Sequence, residues 1–338
     1  MFDILTAGSI TLDTFIQPEE LENFTKNQTE YFGFEIGGKI KIQTQAKHVG
    51  GGAANSAVGF QKMDFATATL GTLGRDDHGK FILHDLECKN VNTKFIQWQQ
   101  NKPSSSSIIV TLPDGRRTVL HERTTALPFS TLPDAKALYV GHLADTEESL
   151  FELFPTWKTQ SRLFAWNPGK TQFKKGLSHY KSVTPLCDIL IVNKEEAELF
   201  TKTKATPVSH TEMQPKACFT PENTEPTLFD AAPMAQVFLN AGIKQIVITD
   251  SRRGAQYFSA QYPNGLFVPQ IDMKKPVSTL GAGDSFSVGV VSAFLQGKNP
   301  SEMLLWGSLN ASSVVQEFGA QNGLLSRKEI TTRAQKFL

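Results

Sequence analysis

The chain has 338 residues, 40% of them hydrophobic and 20% charged, with 34 Lys and Arg against 33 Asp and Glu for a formal net charge of +1. That composition supplies a sizeable core and excludes a disordered or fibrous protein. The balanced charge argues against a protein that coats nucleic acid or an anionic membrane, because either needs a clustered basic excess.

In chain order, short apolar runs recur at residues 4–7, 67–70, 137–140, 163–166, 189–192 and 246–248, most of them separated by stretches of helical periodicity. Buried strands alternating with helices predict a mostly parallel sheet covered on both faces. Two stretches break the rhythm: residues 31–43 read as a hairpin turning at Gly37-Gly38, and residues 107–122 as a second one turning at Pro113-Asp114-Gly115. Both fit a small lid beside the sheet or plain surface decoration. Residues 201–232, rich in Thr, Pro, Glu and Lys, read as a polar loop or insertion. Late helices are expected over 284–295 and 304–317, with Gly297 and Gly319 placed where helices stop. The start, Met-Phe-Asp-Ile-Leu, has no basic stretch, so no signal peptide is expected, and no apolar run approaches the roughly 20 residues that span a bilayer. Three widely spaced cysteines make neither a disulfide framework nor a zinc ribbon and point to a reducing cytoplasm. No two of the seven histidines stand at metal-ligand spacing.

Two glycine-rich strings carry chemistry. In Gly50-Gly51-Gly52-Ala53-Ala54-Asn55 the absent Cβ atoms let a ligand approach the backbone, and Asn55 lies in the first turn of a following helix. A tight turn for close helix–sheet packing explains the same glycines. In Gly281-Ala282-Gly283-Asp284, successive amides at a helix start form an anion-binding nest, able to hold a phosphoryl group as charge moves onto it. Asp284, kept ionised by the helix dipole, can take a proton from an attacking hydroxyl; its plainer reading is an N-cap. Asn167-Pro168-Gly169-Lys170-Thr171 is a decoy, because a P-loop needs glycine where Phe164 stands. Neither string has the G-x-G-x-x-G spacing of a Rossmann dinucleotide site.

Taken together, and in this order, the motifs resemble those of the PfkB family of carbohydrate and nucleoside kinases, with the ribokinase-like fold. Gly8 to Asp13, Gly50-Gly51 with Asn55, the Gly71–Gly79 segment, Asn193 with Glu196, and Gly281 to Asp284 each fall on one of its signatures. The resemblance implies a single three-layer α/β/α domain over residues 1–338 with a mostly parallel central sheet. A small β lid would be formed from about 14–47 and 95–125. It implies ATP-dependent phosphorylation of a hydroxymethyl group on a small sugar, with Asp284 as general base and Gly281, Ala282 and Gly283 as anion hole. Asp13, Gly51, Gly52 and Asn55 would hold the acceptor; Thr249, Gly254 and Asn310 would border the nucleotide. Asn193 and Glu196 would position magnesium, Glu196 through water, although locally they read as an N-cap and a helix N-terminal glutamate. Ser278 and Leu280 stand where the family usually has aspartate and threonine, which argues against potassium activation, and Ser251 stands where a glycine is expected. A nucleoside kinase and a non-catalytic sugar- or nucleotide-binding regulator on the same fold are the alternatives, together with pairing of two copies through the lid.

Overall fold

The structure, a computed structural model of the chain, describes residues 1–27, 29–112, 116–123, 128–143, 147–159, 161–213, 228–271 and 276–337. β1 (Phe2–Ala7) lies inside a nine-stranded sheet, with β6 (Thr67–Gly74) and β10 (Ala135–Val140) parallel on either side. Beyond β6 the edge strand is β7 (Asn92–Gln99). Beyond β10 come β11 (Leu163–Trp166), β12 (Ile189–Asn193) and β15 (Gln245–Thr249), all parallel. Antiparallel β16 (Ala255–Ser259) and β17 (Leu266–Val268) finish the sheet.

The strands are apolar on both sides because both faces are covered. On one face Leu138 and Trp166 meet Leu150 of α3 (Glu147–Glu152) and Phe154 of α4 (Phe154–Trp157). They also meet Phe173 of α5 (Lys170–Lys175), Phe200 of α6 (Lys194–Thr201) and Phe238 of α8 (Ala232–Asn240). On the other face Ile4, Tyr139 and Ile191 meet Phe60 of α1 (Gly52–Lys62) and Val288 of α9 (Ala282–Leu295). Leu305 of α10 (Pro300–Val314) and Ile330 of α11 (Arg327–Ala334) complete that layer. Adjacent residues of β10 thus face opposite cores, as the two-residue strand period requires. The architecture is the expected three-layer α/β/α fold. Among the described residues no helix is long and apolar enough to cross a membrane.

A separate four-stranded sheet forms the lid: β5 (Ile42–Gly50), β2 (Thr11–Pro18), β8 (Ser106–Thr111) and β9 (Arg117–Glu122), in that order. Ile82 and Leu86 of α2 (Asp77–Cys88) pack with Leu12 and Val49 beneath it. The β8–β9 hairpin lies where the sequence predicts it, its three turn residues 113–115 falling outside the described residues.

Three expectations need correction. The early hairpin is formed by β3 (Glu22–Lys26) and β4 (Thr29–Gly33), not by residues 31–43. It turns beside Asn27, which takes a left-handed φ of 51°, and Phe24 stacks across the strands on Tyr31. Gly37 does turn the chain, with Gly38 N–H donating to Glu35 O, but the segments flanking it do not pair. Second, residues 92–99 belong to the main sheet, so the lid's second stretch starts at Ser106 rather than near 95. Third, the 201–232 stretch contains regular structure: β13 (Thr206–Val208) pairs with β14 (Leu228–Asp230), and α7 (His210–Met213) follows β13. Met213, Leu228 and Phe267 form a small apolar cluster there, and residues 214–227 lie outside the description.

Candidate active site

From β1 the chain builds outward to β6 on one side and to β10 on the other, so the order reverses at the carboxyl ends of β1 and β10. A crevice opens at such a reversal, and ligands of α/β sheets gather there. Gly8 and Ser9 leave β1 into it, and Ser9 N–H donates to the carbonyl of His142, which leaves β10. The glycines of the first signature close in from the lid side. Gly51 has φ of 89°, and a Cβ on it would stand 2.3 Å from Ser9 O. Asp13 fills the space a Cβ on Gly50 would need, at 2.0 Å. Gly52 N–H donates to Ser9 Oγ, and α1 starts with no side-chain cap. Gly50 and Gly51 are therefore required by contact with Asp13 and Ser9, whereas a Cβ on Gly52 would meet nothing closer than 3.5 Å.

α9 starts on Gly281 in the left-handed conformation, again with no side-chain cap, and a Cβ there would meet Ala320 Cβ at 2.5 Å. Asp284 is thus the third residue of the helix rather than its cap. Its Oδ2 accepts a hydrogen bond from Asn55 Nδ2 at 2.8 Å, joining positions 229 residues apart. Its Oδ1 faces Gly52, 3.5 Å from where that residue's Cβ would be. Burial pushes the Asp284 carboxyl above its ordinary range; the Asn55 hydrogen bond pulls it back, and the Asp13 carboxylate adds to the rise. The helix dipole alone predicts the opposite, so desolvation is the larger effect here. Burial likewise raises Asp13, against hydrogen bonds from Ser107 and Thr11 and the charges of Arg123 and His48. Asp13, Gly51, Gly52, Asn55 and Asp284 therefore converge on one crevice.

Across the start of α9 lies a cavity of about 200 Å³. Thr249, Ser251, Arg252 and Gly254 form one wall, Ala282 and Gly283 another, and Phe286, Ala311 and Val315 supply apolar surface. Ser251 has φ of 49°, so it keeps the left-handed turn that a glycine would make without strain. Arg252 faces the cavity, whereas Arg253 pairs with Asp250 and stacks on Phe229. Asn310 stands elsewhere: it is fully buried, its amide donating to Ser285 O and its carbonyl accepting from Leu325 N–H. Both ends of its side chain are engaged in holding α10 to its surroundings. Ser308, Ala311 and Ser312 of the same helix line the cavity instead.

Asn193 and Glu196 form a reciprocal capping box at the start of α6, Asn193 Oδ1 accepting from Glu196 N–H at 2.8 Å and Glu196 Oε2 from Asn193 N–H at 2.9 Å. The local reading of the pair thus describes their contacts. Burial still raises the Glu196 carboxyl, against the Asn193 N–H, and Glu195 and Asp284 push it further.

Two residues of the site escape sequence reasoning. Gln321 Nε2 donates to Asn55 Oδ1 at 3.0 Å, 266 residues away; its position between Gly319 and Gly323 in a turn was the only hint. Arg117, at the start of β9, donates from Nη1 to Thr279 Oγ1 at 2.5 Å, two residues before Gly281. It borders a cavity of about 830 Å³ between β9, the β3–β4 hairpin and Pro276 to Thr279, and the hairpin could not be placed there from pattern alone.

The pfkB family carbohydrate kinase model matches residues 24–327. The chain is 22% identical over 329 residues to the 2-dehydro-3-deoxygluconokinase of Bacillus subtilis, covering 91% of this chain and 93% of that protein. It is 22% identical over 337 residues to a Staphylococcus aureus ribokinase, covering 97% and 98%. The solved nucleoside kinase of Methanocaldococcus jannaschii superposes with a TM-score of 0.73 at 19% identity, covering 99% of this chain and 98% of that one. The chain belongs to the pfkB family of carbohydrate kinases.

Proposed function

We propose that this pfkB-family kinase transfers the γ-phosphoryl group of ATP to a hydroxymethyl group of a small sugar. One observation carries the reading above the others: the Asn55–Asp284 hydrogen bond couples the two glycine-started helices and leaves a raised carboxyl in the crevice between them. A carboxyl raised toward working pH makes a better general base than an ordinary aspartate. The acceptor would lie against Asp13, Gly51, Gly52 and Asn55, beneath the lid. The nucleotide would enter from the cavity of Thr249, Arg252 and Gly254, with its triphosphate directed at the amides of Gly281, Ala282 and Gly283.

The acceptor oxygen attacks the γ-phosphorus as the bond to the ADP oxygen breaks, and Asp284 Oδ1 receives the hydroxyl proton. Little covalent work is needed, because phosphoryl transfer depends mainly on alignment and charge stabilisation. Arg117, reaching from the lid to Thr279, adds a cation beside that path. Among the described residues no three His, Cys, Asp or Glu side chains cluster to hold a metal. That fits magnesium, which is usually held by one or two carboxylates, water and substrate phosphates, with Glu196 reaching it through water while Oε2 stays in its cap. When bound, it would neutralise charge on the phosphates as they separate.

A phosphotransfer screen over ribose, fructose, fructose phosphates, 2-keto-3-deoxy sugar acids and nucleosides tests the reading and identifies the acceptor. ADP release stimulated by one sugar, and lost in Asp284→Asn, supports it. Stimulation by nucleosides alone makes the chain a nucleoside kinase. Binding of a sugar without ADP release from any acceptor overturns it in favour of a regulator. We further propose that two copies pair through the lid, whose Ile108 and Leu120 stand opposite each other and are 46% and 53% exposed. A monomer in sedimentation would refute that. The free thiols of Cys88 and Cys187 favour the cytoplasm as its compartment.

A further inference from the structure

The Asp284 carboxylate is the last member of a hydrogen-bond chain that begins on Lys89, the residue following α2. Lys89 Nζ donates to Gln321 Oε1 at 2.8 Å and pairs with Asp85 at 2.6 Å. Gln321 Nε2 donates to Val49 O at 2.9 Å and to Asn55 Oδ1 at 3.0 Å. Asn55 Nδ2 then donates to Asp284 Oδ2 at 2.8 Å.

The two ends of this chain leave one arrangement for everything between them. An ammonium group has donors only and a backbone carbonyl accepts only. Lys89 therefore requires the oxygen of the Gln321 amide, and Val49 O requires its nitrogen. With Gln321 so turned, Asn55 must offer it oxygen and present nitrogen to Asp284. Gln321 and Asn55 are 7% and 5% exposed, so water does not readily take over a lost partner.

We propose that Lys89 and Gln321 are positioning residues for phosphoryl transfer: they fix the Asn55 amide so that Asp284 Oδ2 is held and Oδ1 is left to accept the proton. A reversed Asn55 amide would set its oxygen against the carboxylate, a contact relieved only when Asp284 is protonated and no longer a base. The last step rests on the kinase reading; the orientation itself does not.

The groups that face Asp284 are Asn55 from α1, Asp13 from β2, Glu196 from α6 and Tyr139 from β10. Around Lys89 the charged and titratable neighbours are Asp85, His48 and Lys62. The test therefore has to separate orientation from charge. Its readout is the pH titration of the Asp284 carboxyl carbon by NMR, assigned by its loss in Asp284→Asn, so it needs no acceptor. Gln321→Met removes the chain but no charge, and should raise the Asp284 midpoint by about one unit or more. Lys89→Met should do the same, Lys89→Arg should restore the native midpoint, and Asp85→Asn should leave it unchanged. Where an acceptor is known, the acid limb of kcat/KM should move by the same amount. An unmoved midpoint in a folded Gln321→Met protein would overturn the proposal, as would a shift in Asp85→Asn equal to that in Lys89→Met. Should Gln321→Met fail to fold, the Lys89 pair decides, because that side chain is 37% exposed. Absence of turnover with any acceptor would count against the kinase reading and leave the titration intact.

Discussion

α6, α10 and α11 begin alike. Asn193 with Glu196, Asn299 with Glu302, and Ser326 with Glu329 exchange side-chain and backbone hydrogen bonds, so part of each first turn is satisfied within the helix. α1 and α9 begin on Gly51 and Gly281, and neither has a side-chain cap. The closed starts serve stability. The open starts meet at the crevice, and Asn55 and Asp284, from their first turns, bond to each other. At α1 Ser9 accepts from the first two amides, Gly52 N–H to its Oγ and Ala53 N–H to its carbonyl, so the cost of forgoing a capping box, about 1 kcal/mol per cap, falls chiefly on α9, where an anion would sit.

Asp284→Asn tests the open start of α9 most severely. The change keeps the shape of the side chain and its ability to accept from Asn55 but removes the base. Turnover should fall by about 10²–10⁴-fold, with ATP binding largely intact by calorimetry. Near-native turnover would remove Asp284 as base. Gly281→Ala comes next. A Cβ there would stand 2.7 Å from Ala320 Cα, and φ of 76° strains any side chain, so the start of α9 must shift. A displacement near 1 Å should cost about 10²-fold in kcat and lower Tm as well. Unchanged kinetics would mean that the nest does not hold the transferring group.

Glu196 is where the contrast is least clean, because its capping box is closed yet its carboxyl feels Asp284. Glu196→Gln can keep the cap, since the amide oxygen still accepts from Asn193 N–H, while losing the charge. If Glu196 only caps, activity stays the same. If it also positions magnesium, the magnesium concentration for half-maximal rate should rise about tenfold. Glu302→Gln makes the same exchange at a capping box of α10 and should leave the magnesium requirement unchanged.

The same contrast explains what could be read from the sequence. The sheet strands announce themselves as short apolar runs because both faces are buried, and Gly281 to Asp284 because a left-handed start and a nest both need glycine. The early hairpin is misread because Gly37-Gly38 looks like the better turn, while Asn27 and the Phe24–Tyr31 stack decide the pairing. Asn310 does not line the cavity beside α9, and helix register alone does not tell a side chain facing a cavity from one facing Ser285 and Leu325. Gln321 is illegible for a different reason. Its role exists only through partners at Lys89, Val49 and Asn55, far away in the chain, and no local pattern carries that.

The smallest effect expected concerns stability, and its sign follows from the raised Asp284 carboxyl. An aspartate whose folded pKa lies above its unfolded value binds protons more tightly when folded, so folding is weakened as pH rises between those two values. Below the unfolded value, near 3.8, the group is neutral in both states and contributes nothing. Asp284→Asn should therefore match the wild type in Tm at acid pH and become the more stable of the two as pH rises through the folded pKa, the gap then staying constant to neutrality. Thermal melts of both proteins from pH 3.5 to 7.5 measure this directly. A mutant less stable than wild type at neutral pH would mean that the Asn55 bond and the dipole of α9 outweigh burial after all. The open helix start would then be a stabilising feature rather than one held at a cost for catalysis.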